Sequence, residues 1–189
     1  MRYLPFGKTG LTISEVGFGG IPIIRLGEDT AVKVLRRAYE SGITLYDTAN
    51  AYRDSEKKIG CALGDMRDKV VLATKTLCRD APGAIEQLEN SLHMMKTDYI
   101  DIYQIHQIAQ EKDWEIVTGP GGAMEAVIKA KEQGKIRYIG VTSTTSPWRL
   151  SLLKPAYLAP SSFPSTSSRM LPKVSSTLLP ASVEWESLP

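Results

Sequence analysis

The sequence predicts an α/β fold of the (β/α)8 TIM-barrel type, incomplete, with about five βα units and an irregular C-terminal tail. Three observations lead there. Short apolar runs alternate with segments whose apolar residues recur at helical spacing, which implies parallel strands joined by right-handed helical crossovers. Asp47, Lys75, His106 and the pair Thr142 and Ser143 stand at the C-terminal ends of successive predicted strands, where barrel enzymes place their chemistry. Beyond about Pro147 the alternation stops. An open doubly wound sheet is the other architecture that alternation allows, but VGFGGIPI supplies GxGG without the remainder of a dinucleotide fingerprint.

The elements follow in chain order. TISEVGFGGIPI, residues 12–23, reads as a strand entering a glycine turn, and EDTAVKVLRRAYESG, residues 28–42, as an amphipathic helix with a glycine stop. ITLYDTA, residues 43–49, is a short buried strand. SEKKIGCALGD, residues 55–65, is a helix with Ser55 as its expected N-cap, and KVVLATK, residues 69–75, is a strand rich in β-branched residues. Helix GAIEQLENSLHMMKT (83–97) precedes strand DYIDIYQIH (98–106). After a loop containing GPGG come helix MEAVIKAKEQGK, ended by Gly134, and strand IRYIGVTS (136–143).

Composition narrows the function classes. The 189 residues are 42% hydrophobic and 23% charged, enough apolar material for one sizeable core. A net charge of +2 without a basic block gives no footprint for nucleic acid and no polybasic membrane patch. No run is long and apolar enough to cross a bilayer, and MRYLPFGKTG has no apolar signal-peptide core. Cys61 and Cys78 lack metal-ligand spacing, so no metal is expected. A cytoplasmic protein acting on a small molecule is the expectation.

At these strand ends the chain resembles the aldo-keto reductase family. The resemblance runs from about Arg2 to about Ser146 through GKTGLTISEVGFGG, TLYDTANAY, VVLATK, YIDIYQIH and GKIRYIGVTS, in the family's order. It implies an NADPH-dependent (or NADH-dependent) oxidoreductase that reduces aldehyde or ketone carbonyls, with Asp47, Tyr52, Lys75 and His106 as its catalytic tetrad. It also implies cofactor contacts at Gly20 and Ile21 after the first strand, at Asp47, and at Thr142 and Ser143 after the fifth. The family usually carries Ser-Asn at that last place, where this chain has Thr-Ser.

Carbonyl reduction asks for these residue types on chemical grounds. Negative charge builds on the oxygen, so a proton donor must stand beside it, and a free tyrosine, near pKa 10, gives up its proton reluctantly. A neighbouring ammonium is expected to lower the phenol of Tyr52, with Asp47 holding Lys75 in place. His106 can donate a hydrogen bond to the substrate oxygen.

Each residue has a plainer reading. Asp47 alone fits a turn carboxylate, Lys75 a solvated strand-end charge, and Tyr52 packing. A lone His106 fits a satisfied core histidine, as does His93 in LENSLHMMK, while Met94 and Met95 fit core filler. Thr142 and Ser143 also suit the cap of a following helix.

Residues 1–147 therefore form the barrel-type unit, and residues 148–189 a Ser- and Pro-rich segment that matches nothing in the family pattern. A disordered tail is one account of the change, since such composition orders poorly; a shifted reading frame is a sharper one, because codon degeneracy permits SSFPSTSSRMLP to lie one base from QFPFNFIEDAA, which resembles the family's sixth strand. A barrel closes only with eight strands, so the resemblance implies that the loops for the adenosine end of the cofactor are missing. Weak NADPH binding is then expected, and open sheet edges invite self-association. Two function classes stay open: a carbonyl-reducing oxidoreductase, and a truncated, catalytically silent fragment or binding module.

Overall fold

β-Branched runs become strands and amphipathic runs become the helices that cover them. The computed structural model describes residues 1–143 and, for the backbone alone, residues 175–178. Among these residues the strands are β1 (Tyr3–Pro5), β2 (Thr12–Ser14), β3 (Phe18–Gly19), β4 (Leu45–Asp47), β5 (Val71–Thr76), β6 (Ile100–Ile105), β7 (Ile136–Ser143) and β8 (Ser175–Leu178). The helices are α1 (Glu28–Glu40), α2 (Ser55–Leu63), α3 (Ala81–Met95), α4 (Glu111–Thr118) and α5 (Ala123–Glu132). Strands β3 to β7 pair in parallel in chain order, as the alternation predicted. The chain thus carries the opening strands of a barrel with helices on its outer face.

The strand expected over residues 12–23 divides. Thr12–Ser14 instead pairs antiparallel with Tyr3–Pro5, and only Phe18–Gly19 joins the parallel sheet. The hairpin turns through Gly7 and Gly10, both at positive φ, and Phe6 N–H donates to Leu11 O at 2.8 Å. It has a packing purpose: Phe6 and Ile13 close over Val71, Ala73 and Ile102, the lumen-facing residues of β5 and β6. The alternate residues Leu72, Tyr103 and Ile105 face the helices and join the larger core with Leu35, Leu88 and Val127. Two cores therefore lie on the two faces of one sheet.

Helix ends follow local chemistry. Asp80 Oδ2 accepts from Gly83 N–H at 3.0 Å and caps α3, which starts two residues before its predicted position, with Pro82 in its first turn. Ser55 is not an N-cap: it is the first residue of α2, Asp54 occupies the cap position, and the serine hydroxyl is spent elsewhere. The loop with GPGG contains an unpredicted helix, α4, whose start is tied by Asp113 Oδ2 accepting from Ala109 and Gln110 N–H. His93 is exposed in the last turn of α3, not a core histidine, because that helix buries Leu88, Ser91, Leu92 and Met95 on its other face. Met95 is fully buried core, and Met94 is half-buried.

One sheet edge is covered. Within the Ser- and Pro-rich segment, β8 pairs antiparallel with β7 over Gly140 to Ser143, which the composition did not signal. At the other edge, β3 offers two residues to β4 and has no outer partner among the described residues. No helix among the described residues is long and apolar enough to cross a membrane.

Candidate active site

Parallel pairing brings the strand ends to one level. Asp47 is opposite Ala73, and Lys75, two residues further along β5 and on the same face, is opposite Gln104. The Lys75 ammonium donates to Asp47 Oδ2 at 2.7 Å and to the Thr48 carbonyl at 2.5 Å. Its side chain is 1% exposed while that of Asp47 is 41% exposed. Burial pulls the lysine below its usual range, opposed first by Asp47 and then by Glu56. Burial also pushes the Asp47 carboxyl up, against the pull of Lys75.

Tyr52 arrives on a tight turn. Thr48 N–H bonds Ala73 O at 2.8 Å, Asn50 N–H bonds Lys75 O at 3.0 Å, and Tyr52 N–H closes back on Ala49 O at 2.9 Å. The ring lies with the Lys75 ammonium 5.4 Å from its centroid and meets the His106 ring edge-on, centroids 6.1 Å apart. The expectation that Lys75 lowers the phenol is corrected here. Burial, then the Asp47 carboxylate, raises Tyr52, and the Lys75 ammonium, which lies over the ring face, gives its hydrogen bonds to Asp47 and Thr48.

His106 follows β6 and is 6% exposed. Its backbone N–H donates to Thr76 O at 2.8 Å, and its Nδ1 lies 2.8 Å from Thr142 Oγ1. The Arg79 guanidinium donates to the carbonyls of His106 and Gln107 at 2.8 and 2.9 Å. Burial, Lys75 and Arg79 hold the imidazole down to about 4, so it is neutral near neutral pH. Asp47, Tyr52, Lys75 and His106 therefore stand together.

The remaining expected residues lie around this cluster. Gly20 is buried, its N–H donating to Asp47 O at 2.7 Å, and a Cβ there would stand 2.5 Å from Ser55 Oγ. Ile21 next to it is 51% exposed. Thr142 and Ser143 end β7, both buried; the alternative that they cap a following helix falls on residues outside those described.

Sequence reasoning passed over several contributors. Ser55 Oγ donates to Gly20 O at 3.0 Å and receives Thr48 Oγ1–H at 2.8 Å, fastening the glycine turn to α2. Glu56, 3% exposed, accepts from Thr74 Oγ1 at 2.6 Å and from Asn50 at 3.4 Å. A carboxylate on the apolar side of α2 was its signal. Gln104 shares the lumen face with Ile102 by strand alternation, and its Oε1 is buried without a hydrogen-bond partner among the described residues.

A sequence model of the Aldo/keto reductase family matches residues 15–178. The chain belongs to the aldo-keto reductase family. The match runs past Ser146 and takes in β8. Aldo-keto reductase YhdN of Bacillus subtilis is 37% identical over 163 residues, covering 76% of this chain and 47% of that protein. Methylglyoxal reductase YeaE of Escherichia coli is 41% identical over 127 residues, covering 62% and 42%. Among solved structures, the holo form of aldo-keto reductase AKR11C1 from Bacillus halodurans superposes with a TM-score of 0.65 at 31% identity, covering 76% of this chain and 50% of that one. The Klebsiella pneumoniae aldo/keto reductase in complex with NADP and acetate gives 0.64 at 29%, covering 76% and 50%. The aldo-keto reductase chain described here thus spans about half the length of the relatives it matches, and its five parallel strands are those of a partial TIM barrel.

Proposed function

We propose that this site reduces aldehyde or ketone carbonyls to alcohols with NADPH, or with NADH as the alternative donor, and that Tyr52 is the proton donor. The observation that carries the reading is the buried Lys75 ammonium, paired with Asp47 and lying beside the Tyr52 ring, with neutral His106 across that ring. A buried cation at a strand end has little structural use and a clear chemical one.

The wall fits a nicotinamide. Gln104 Oε1 is a buried acceptor in want of a donor. Gly20, Ile21, Asp47, Thr142 and Ser143 would line that end of the cofactor. When bound, the nicotinamide supplies the hydride that forms the new C–H bond and is itself oxidised. Tyr52 delivers its proton to the oxygen, so a carbonyl gains two electrons and two hydrogens in all. His106 steadies the oxygen as charge grows there, and Asp47 holds the Lys75 ammonium beside the Tyr52 ring. The raised phenol keeps its proton in the resting site.

The shared length with relatives, about half, supports a second reading: a catalytically silent truncated chain or binding module. Within either reading we take residues 1–147 as the barrel-type unit and residues 148–189 as a Ser- and Pro-rich tail, into which the family match extends as far as residue 178. Two free cysteines fit a cytoplasmic setting, and the edge of β3, without an outer partner among the described residues, offers a route to self-association. Fluorescence titration of monodisperse chain with NADPH, followed by NADPH consumption in the presence of methylglyoxal, separates the readings. Micromolar binding with turnover abolished by Tyr52→Phe supports the reductase; absence of both supports the silent chain.

A further inference from the structure

We propose that Thr142 is a positioning residue that holds His106 in the Nε2–H tautomer, leaving that proton free for the substrate oxygen. The inference deepens the reductase reading, because it takes His106 as the group beside that oxygen. It begins from proton counting at one hydroxyl. Thr142 Oγ1 has one proton to give and two lone pairs. The Gln107 N–H donates into it at 2.9 Å, and His106 Nδ1 lies at 2.8 Å.

If Nδ1 carried the imidazole proton, Thr142 would accept twice and its own hydrogen would have no acceptor among the described residues. If Nδ1 is bare, Thr142 accepts from Gln107 and donates to Nδ1, so the hydroxyl proton and the bare nitrogen satisfy each other and only Nε2–H is left for a ligand. Buried polar groups settle into the satisfied arrangement. Thr142 and His106 are 3% and 6% exposed, so water offers little substitute.

The backbone around this contact is built to hold it. Gln107 takes the left-handed region, φ 54°, unusual for a residue with a side chain, and its N–H thereby meets Thr142 while its carbonyl accepts from Arg79. Ile108 N–H bonds the Thr142 carbonyl at 2.9 Å, fixing β7 against the turn. The imidazole is kept uncharged by its burial beside Lys75 and Arg79, so one ring nitrogen must be bare, and the threonine selects which. Nε2 then carries the proton and has no partner among the described residues. One lone pair of Thr142 Oγ1 remains for a donor such as a carboxamide N–H.

The test needs no turnover. The chain has two histidines, His93 exposed and His106 buried, so nitrogen-15 histidine labelling with two-bond proton–nitrogen correlation gives two resolvable ring patterns. At neutral pH, cofactor-free chain is expected to show His106 as Nε2–H. In Thr142→Val the tautomer ratio should fall about fivefold toward the Nδ1–H form, the loss of one hydrogen bond, and in Thr142→Ser it should recover. An Nδ1–H pattern in the unaltered chain overturns the proposal even if Thr142→Val fails to fold. So does a Thr142→Val pattern identical to wild type. Failure of the reductase reading is read separately, by absent NADPH binding.

Discussion

The Lys75 ammonium meets the Asp47 carboxylate at 2.7 Å across neighbouring parallel strands, the lysine buried and the carboxylate partly open to solvent. The asymmetry matters because the two ends of the pair are not equally replaceable. Water can reach Asp47 when its partner is gone; it cannot easily reach Lys75. Removing the carboxylate therefore strands a buried cation on one carbonyl, whereas removing both charges leaves no uncompensated charge there.

Asp47→Asn should destabilise the chain by about 1–3 kcal/mol, less than for a fully buried pair because Asp47 is partly solvated. Urea midpoints measure it. The double variant Asp47→Asn with Lys75→Met should lose less than the sum of the singles, and simple additivity would count against a coupled pair.

Tyr52→Phe, in a form of the protein that turns over, should lower kcat by about 10²–10⁴-fold with little change in NADPH affinity, since only the proton donor is removed. Steady-state kinetics and fluorescence titration check both halves. Wild-type kcat in this variant would move the acid elsewhere, with His106 the nearest candidate.

Stability should fall with pH through the His106 window. The unfolded imidazole titrates near about 6.5, whereas in the folded chain it is held down to about 4. Between those values the unfolded state binds the extra proton, so this contribution is complete above the upper value and is lost as pH falls toward the lower one. The loss is on the order of 1–3 kcal/mol. Urea midpoints across this range should slope less in His106→Gln than in wild type.

Gly20→Ala should cost about 1–3 kcal/mol, because the added Cβ meets Ser55 Oγ and Thr48 Oγ1 inside normal contact distance. Adding Ser55→Ala removes the nearer of those atoms and should recover part of the loss. Equal midpoints for Gly20→Ala and wild type would mean that the turn and α2 shift apart freely.

The parallel sheet was legible because it is written in period. VVLATK and IRYIGVTS have the length, branching and flanks of buried strands, and IRYIGVTS matches β7 end to end. Asp47, Lys75, His106 and the pair Thr142 and Ser143 were legible because strand termini map to one rim in any parallel α/β sheet. Their contacts were not. Whether Lys75 faces the Tyr52 hydroxyl or its ring depends on the turn from Thr48 to Asp54, and no residue pattern encodes that angle. The N-terminal hairpin escaped because Tyr3–Pro5 is three residues long, too short for any period to show. Helix α4 escaped for a related reason: eight residues capped by Asp113 look like loop when GPGG follows.

By itself, then, the sequence determined the order of strands and helices, the family, and which side chains stand at the strand ends, since periodicity, turn residues and motif order are local properties of the chain. The tertiary structure decided what those side chains do to one another. It turned Ser55 from an expected cap into a strut under Gly20, raised Tyr52 where a lowered phenol was expected, and set Thr142 against His106. Each of these depends on distances between residues far apart in the chain, where burial and the direction of single hydrogen bonds outweigh local preference.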